Sequence, residues 1–259
     1  APPGPVEPVL PVEPAPWDGE VDILEYVEPV TPMDVAGPDA VSAGKTTRLG
    51  ANSDTFIASG DPTDNFGGLS TMAVGWPNDR YQASRTLIRF DVGPLPNKAK
   101  IYSAKLYLYL DSGLPAGGPT MRLNGALATR GWNENSATWA IAAGIGGGQW
   151  RLGDVSTQPG WKSFSLTSQV QQWVNGQSNN GLMIIGYEVS PNGRIFRSRH
   201  YGGSEPYLEV SYECDTLPPV TKVNRLPDTS PGVFDVTWDG YDQAPKGCTP
   251  TGIRKFHVQ

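Results

Sequence analysis

From Ile101 to Leu110 the chain alternates. Tyr102, Ala104, Leu106, Leu108 and Leu110 share one parity, and Ser103, Lys105, Tyr107 and Tyr109 share the other. Period two predicts a strand buried on one face. Shorter runs of the same kind stand at 54–58, 71–75, 85–91, 120–128, 161–166, 182–189, 194–199 and 206–212. Clusters of Gly, Pro, Asn and Asp separate them, as turns require. One short helix is expected over 167–175, where Leu166, Val170, Trp173 and Val174 share a face. Thr167 or Ser168 would cap its N-terminus. So many short strands predict an all-β chain whose body, residues 43–213, is a jelly-roll β-sandwich.

The flanks differ. Residues 1–42 form a Pro-rich leader in which Val-Glu-Pro recurs at 6–8, 12–14 and 27–29. Such a segment prefers extended polyproline conformations and cannot fold alone. Within it, Val21, Ile23, Leu24, Tyr26 and Val27 are the candidate assembly strand. Burying about five apolar side chains yields roughly 8–15 kcal/mol, while ordering about fifteen residues costs roughly 15–30 kcal/mol. Docking therefore needs ladder hydrogen bonds to a sheet edge. Residues 214–259 start with Leu217-Pro218-Pro219 and alternate again over 233–238, with a further strand expected at 253–258. This reads as the opening three strands of an immunoglobulin- or fibronectin-type sandwich, which needs about seven.

Composition narrows the classes. The 259 residues carry net charge −6, with 31 Gly and 25 Pro. An acidic balance argues against nucleic acid as main partner, because phosphate binding needs a basic surface. No apolar run reaches the roughly 20 residues of a membrane helix, so no span is expected. Ala1 is the kind of residue left by cleavage after a signal peptide. Cys214 and Cys248 would close a loop of about 35 residues, worth roughly 3–4 kcal/mol as a disulfide; two buried thiols are the alternative. The expected location is extracellular or cell-surface.

Candidate chemistry is sparse. His200 and His257 are the two histidines, and no H-E-x-x-H, G-x-S-x-G or P-loop pattern occurs. The chain reads as non-enzymatic, without a resident cofactor. Glu134 reads as a turn residue bonding backbone amides, and Trp132 and Trp139 as core. Asp61, Asp64 and Asn65 offer hard oxygens to Ca²⁺, although Asx turns use the same residues. Arg85 and Arg89 share a strand face, as do Lys105, Tyr107 and Tyr109; Trp76 lies between Gly75 and Pro77. Arg197 and Arg199 share another strand face. If those strands are neighbours, a basic, aromatic surface results, and Trp76 in its loop is the expected exposed aromatic; an ordinary solvated sheet face, or an inner face with buried ion pairs, is the alternative. Arg pairs carboxylates in a fork and rings stack on sugars, so the surface suits an acidic polysaccharide.

The order of these segments resembles the DNRLRE-type domain, a jelly-roll module of secreted proteins. The resemblance rests on Asp54-Thr-Phe-Ile57, Pro62-Thr-Asp-Asn-Phe-Gly67, Arg85-Thr-Leu-Ile-Arg-Phe-Asp91 and Leu95-Pro96. Further on come Ile101–Tyr109, Gly131-Trp-Asn-Glu-Asn-Ser-Ala-Thr-Trp139, Gln171-Gln-Trp-Val-Asn-Gly176, Asn180-Gly-Leu182 and Phe196-Arg-Ser-Arg199. It implies a secreted β-sandwich of a kind found beside polysaccharide lyases and partly classed as carbohydrate-binding modules; it transfers no catalytic motif. Two functions follow. One is a structural subunit of a surface filament or layer, a head-to-tail homopolymer joined by strand addition through the leader. The other is a carbohydrate-binding module for an acidic polysaccharide within a larger secreted or cell-surface protein.

Overall fold

In the computed structural model the described residues are 44–113, 120–189, 191–214, 217–224, 236–244, 248 and 250. The leader's assembly strand, Val21 to Val27, lies outside them. The chain is all-β with a jelly-roll-like body. Its strands are β1 (Lys45–Ala58), β2 (Thr71–Trp76), β3 (Ser84–Phe90), β4 (Ile101–Gly113), β5 (Thr120–Ala128), β6 (Gly146–Ser156), β7 (Gly160–Ser165), β8 (Leu182–Ile185), β9 (Asn192–Arg197) and β10 (Tyr207–Tyr212). Two short helices, α1 (Trp139–Ala142) and α2 (Thr167–Val174), interrupt them.

The ten strands form one continuous sheet in the order β1-β10-β4-β9-β2-β3-β8-β5-β6, with β7 on β4. It closes on itself because β1 has two partners. Lys45–Gly50 pairs with β10, and from Ala51 the strand pairs with β3, with a register shift between Ala51 and Ser53 at the start of that ladder. A second shift, between Leu110 and Ser112, lies where the end of β4 pairs with β9. Irregularities of this kind bend a strand, and the bends fold the sheet into two layers. Between the layers lie Leu106, Leu108 and Leu110 of β4 with Phe56, Ile88, Phe90, Phe196 and Val210, all 2% exposed or less. Helix α2 closes one end with Val170, Trp173 and Val174.

Four local expectations need correction. Tyr102 is exposed and Ile101 buried, because a register shift between Ser211 and Tyr212 inverts the parity at the start of β4. Strand β6 was not expected: Gly146-Gly-Gly-Gln-Trp-Arg-Leu-Gly reads as turn, and along the strand only Val155 is buried. The run at 182–189 leaves the sheet after Ile185, and that at 194–199 starts earlier, at Asn192, and ends at Arg197. The N-cap of α2 is Leu166, without a side-chain cap bond. Thr167 Oγ1 instead accepts the Ala104 backbone N–H at 3.0 Å, tying the helix to β4.

Beyond the body, β11 (Val220–Val223) and β12 (Trp238–Tyr241) pair antiparallel, and every residue of both is exposed. Of the strand expected at 233–238, residues 233–235 lie outside the described residues, Val236 and Thr237 are not strand, and Trp238 begins β12; all of that expected at 253–258 lies outside. Cys214 and Cys248 are joined by a disulfide, and Cys214 is buried.

Leu108→Ala should lower unfolding free energy by about 2–5 kcal/mol, the cost of emptying a fully buried leucine site. Tyr102→Ala should cost under about 1 kcal/mol, since that ring stands outside the core. Urea unfolding of both variants checks the parity inversion directly.

Candidate functional site

The alternation of β4 aims Lys105, Tyr107 and Tyr109 outward, away from the leucines. The register then sets Tyr107 between Tyr207 of β10 and Ser163 of β7, and Tyr109 beside Trp161 of β7. Tyr107 and Tyr207 stack with centroids 4.7 Å apart and planes 12° off parallel. Trp161 meets Tyr109 edge-on at 5.4 Å and Tyr207 at 5.2 Å. These four rings make an aromatic platform on an open sheet face, with Trp161 43% exposed.

A guanidinium stands at each end of the platform. Arg48 of β1 lies 4.8 Å from the Tyr207 centroid, and its Nε donates to Glu209 Oε2 at 2.9 Å. Arg197 of β9 lies 4.1 Å from Tyr109 and 4.0 Å from Tyr201, and its Nε donates to Asp111 at 3.1 Å. Each of those contacts uses one of five N–H donors. Lys105, exposed, is the register partner of Glu209. Burial pushes the Tyr207 phenol above its usual value, so it stays a protonated donor at neutral pH. The platform can stack on flat apolar faces and offer forked donors to anions.

Arg85 and Arg89, expected on this same surface, belong to another. They project from β3 beneath the crossover that carries Trp132, Glu134 and Trp139. The Arg85 guanidinium lies 4.8 Å from Trp139, grips Glu188 through two bonds of 2.7 and 2.9 Å, and donates to Ala143 O. Arg89 lies 5.5 Å from Trp132 and donates to Ser53 Oγ. Between them Leu87 joins a second apolar cluster with Ile57, Ala126, Met183 and the crossover's Ala137 and Ala142. These arginines fasten the crossover. Trp76 is also not the exposed aromatic expected in a loop. It ends β2 half-buried, and its indole N–H is buried with no acceptor among the described residues.

The acidic loop is likewise engaged. Asp61 Oδ2 accepts from Arg80 Nε at 2.8 Å. Asn65 Nδ2 donates to the carbonyls of Glu134 and Ala137, both at 2.8 Å, while Asp64 is exposed. Among the described residues no group of three or more His, Cys, Asp or Glu side chains is placed to hold a metal ion.

Glu134 is more than a turn residue. It is 8% exposed, accepts the Asp54 N–H at 3.1 Å, and receives two bonds of 2.8 Å from Arg199, with His200 Nε2 at 3.4 Å. Burial alone would raise its pKa, but Arg199 and the Asp54 amide outweigh that and hold it below the usual carboxylate value. Asp54 is 1% exposed, and burial, reinforced by Glu134, pushes it up to about 6. Its Oδ2 accepts the Arg199 N–H at 2.7 Å; Oδ1 has no partner among the described residues. Both carboxyls are enclosed, so they act as a latch under the crossover.

Comparison with known proteins bears on the whole body. The family model of Carbohydrate-binding module family 96 matches residues 45–212, from the first residue of β1 to the last of β10. Among curated proteins, "tRNA nuclease WapA" of Bacillus subtilis (strain 168) is 26% identical over 231 residues, 76% of this chain. "tRNA3(Ser)-specific nuclease WapA" of Bacillus spizizenii is 26% identical over 222 residues. The chain spans 9% of the length of these relatives. Among solved structures, one described as "KBV activated particle at acidic pH" aligns at 13% identity over 63% of this chain and 68% of that chain. Its TM-score is 0.19, too low to bear on the fold.

The latch predicts a pH dependence. Asp54 binds its proton more tightly folded (about 6) than unfolded (3.8). Its contribution is therefore fully present below about pH 4 and lost as pH rises through 6, by roughly 3 kcal/mol. Glu134 acts in the opposite sense: its contribution is present above its unfolded value and lost as pH falls through its lowered one. Asp54→Asn should melt higher than the parent at pH 8, with the gap closing toward pH 4. Thermal unfolding at pH 4–8 measures it, and equal melting curves at pH 8 would refute the burial cost on the Asp54 carboxylate.

Proposed function

This chain belongs to carbohydrate-binding module family 96, and we propose that it binds an acidic polysaccharide through the Tyr107–Tyr207–Trp161 platform. The observation that carries this reading is the set of interlocked rings on an open sheet face with Arg48 and Arg197 at its two ends. A pyranose ring has apolar C–H faces that stack on aromatic side chains. A flat face leaves a long chain room to pass, whereas a closed pocket would admit only a small molecule. The paired guanidiniums add forked donors for sugar carboxylates, and Lys105 adds charge at the rim.

In this reading the chain is a non-catalytic module. Asp54 and Glu134 are enclosed and hold the crossover. The nuclease in the names of the WapA relatives is not carried over, because the chain spans 9% of their length. The disulfide fits an oxidising, extracellular or cell-surface setting. Among the described residues no helix is long and apolar enough to cross a membrane. The filament expected from the leader finds no support in the comparisons, so the binding module replaces it as the main reading.

Native gels cast with polygalacturonate, with hydroxyethyl cellulose as neutral control, test the assignment. The parent chain should be retarded by the acidic polymer. Trp161→Ala and Tyr107→Ala should each weaken binding about tenfold or more, a stacking loss of about 1.4 kcal/mol. The double variant Arg48→Ala with Arg197→Ala should remove the salt-sensitive part. Arg85→Ala should keep its retardation yet lose about 1–3 kcal/mol of stability, because it unties Glu188. Retardation that survives Trp161→Ala but not Arg85→Ala would move the site to the crossover face.

A further inference from the structure

At the end of β9 away from Arg197 lies a cleft of about 430 Å³, twice the 210 Å³ cavity at the crossover. Arg122 and Asn124 of β5, Tyr187 after β8 and Asn192 at the start of β9 line it, over a floor of Met121 and Gly186. Five strand steps separate Asn192 from Arg197, about 16 Å along β9, so cleft and platform are separate places.

The floor is tightly built. A Cβ on Gly186 would stand 2.6 Å from Met121 Sδ and 2.9 Å from Val74 Cγ1. Gly75, at φ +86°, allows the same closeness: its Cβ would lie 2.8 Å from Met121 Cε and 3.1 Å from Tyr187 O. Both glycines let backbone approach where a side chain would fill the space. The walls are polar, and Asn124 Nδ2 donates to Gln149 Oε1 at 3.3 Å. Tyr187 is 50% exposed. Arg122 is exposed opposite Asp154, whose carboxylate is already paired with Arg151. Asn192 is buried, and its Oδ1 accepts Arg194 Nη1 at 2.9 Å, which orients the amide.

We infer that this cleft is a second sugar site, taking one pyranose ring at the end of a chain. The inference rests on the polysaccharide reading of the platform. The volume falls in the range of small-molecule sites rather than of a groove for a polymer. A half-exposed phenol ring, an exposed guanidinium and neutral amides suit one ring with several hydroxyls. Platform and cleft then hold one polysaccharide at its interior and at its end, and two linked contacts raise avidity without new surface.

The test is an amide-shift titration of the full ¹⁵N-labelled chain with trigalacturonate and cellotriose. The amides of Arg122, Asn124 and Tyr187 should shift in the parent and equally in Trp161→Ala, which silences the platform. Arg122→Ala or Tyr187→Ala should weaken that site about tenfold or more and leave platform shifts in place; both side chains are exposed, and the spectrum itself reports folding. Shifts confined to the platform and lost in Trp161→Ala would overturn the second site alone. No shift at either place would overturn the polysaccharide reading and the second site with it.

Discussion

The change of partner in the middle of β1 is the constraint on which the rest depends. The first half of β1 serves β10 and the second half β3, and the irregularity between Ala51 and Ser53, where the second ladder begins, bends the strand. With it the sheet closes, the leucines of β4 face Phe56 and Ile88, and the core becomes dry. Closure also decides which faces look outward. β4 with its neighbours β10 and β7 presents one face, and β3 with β8 and β5 presents the other.

The two outer faces then take different fates. On the β3 side a crossover lies down on Leu87, Met183 and Ala126 and is held by arginines over tryptophans. Beneath it the Asp54, Glu134 and Arg199 latch replaces solvent with charge-assisted bonds. On the β4 side nothing among the described residues covers the rings, so aromatic surface of the same general kind stays open to a partner. Similar residue chemistry thus serves cohesion on one face and, in the proposed reading, recognition on the other, and coverage is what separates them.

Much of this organisation was legible along the chain. Period-two alternation located nine of the ten body strands near their places, and the helix expected over 167–175 followed from its apolar face. Strand β6 was invisible because an edge strand rich in glycine buries almost nothing, so it carries no hydrophobic period. Tyr102 was misplaced because a one-residue irregularity inverts parity, and local patterning has no signal for it. The candidate site was half visible. Lys105, Tyr107 and Tyr109 were found through their own strand. Trp161, Tyr207, Arg48 and Arg197 lie 10 to 159 positions from one another, and only pairing brings them to one surface.

What the sequence by itself determined is local: which segments are strands, which side of each is apolar, and where turns must fall. Those properties depend on neighbours two to four residues away, and they hold whatever the strands pair with. What the tertiary structure alone decided is adjacency. Arg85 and Tyr107 each sit on a polar face of their own strand, yet one lies under a crossover and the other in an open platform. Strand pairing sets that choice through contacts between residues far apart in the chain, where no local period records it.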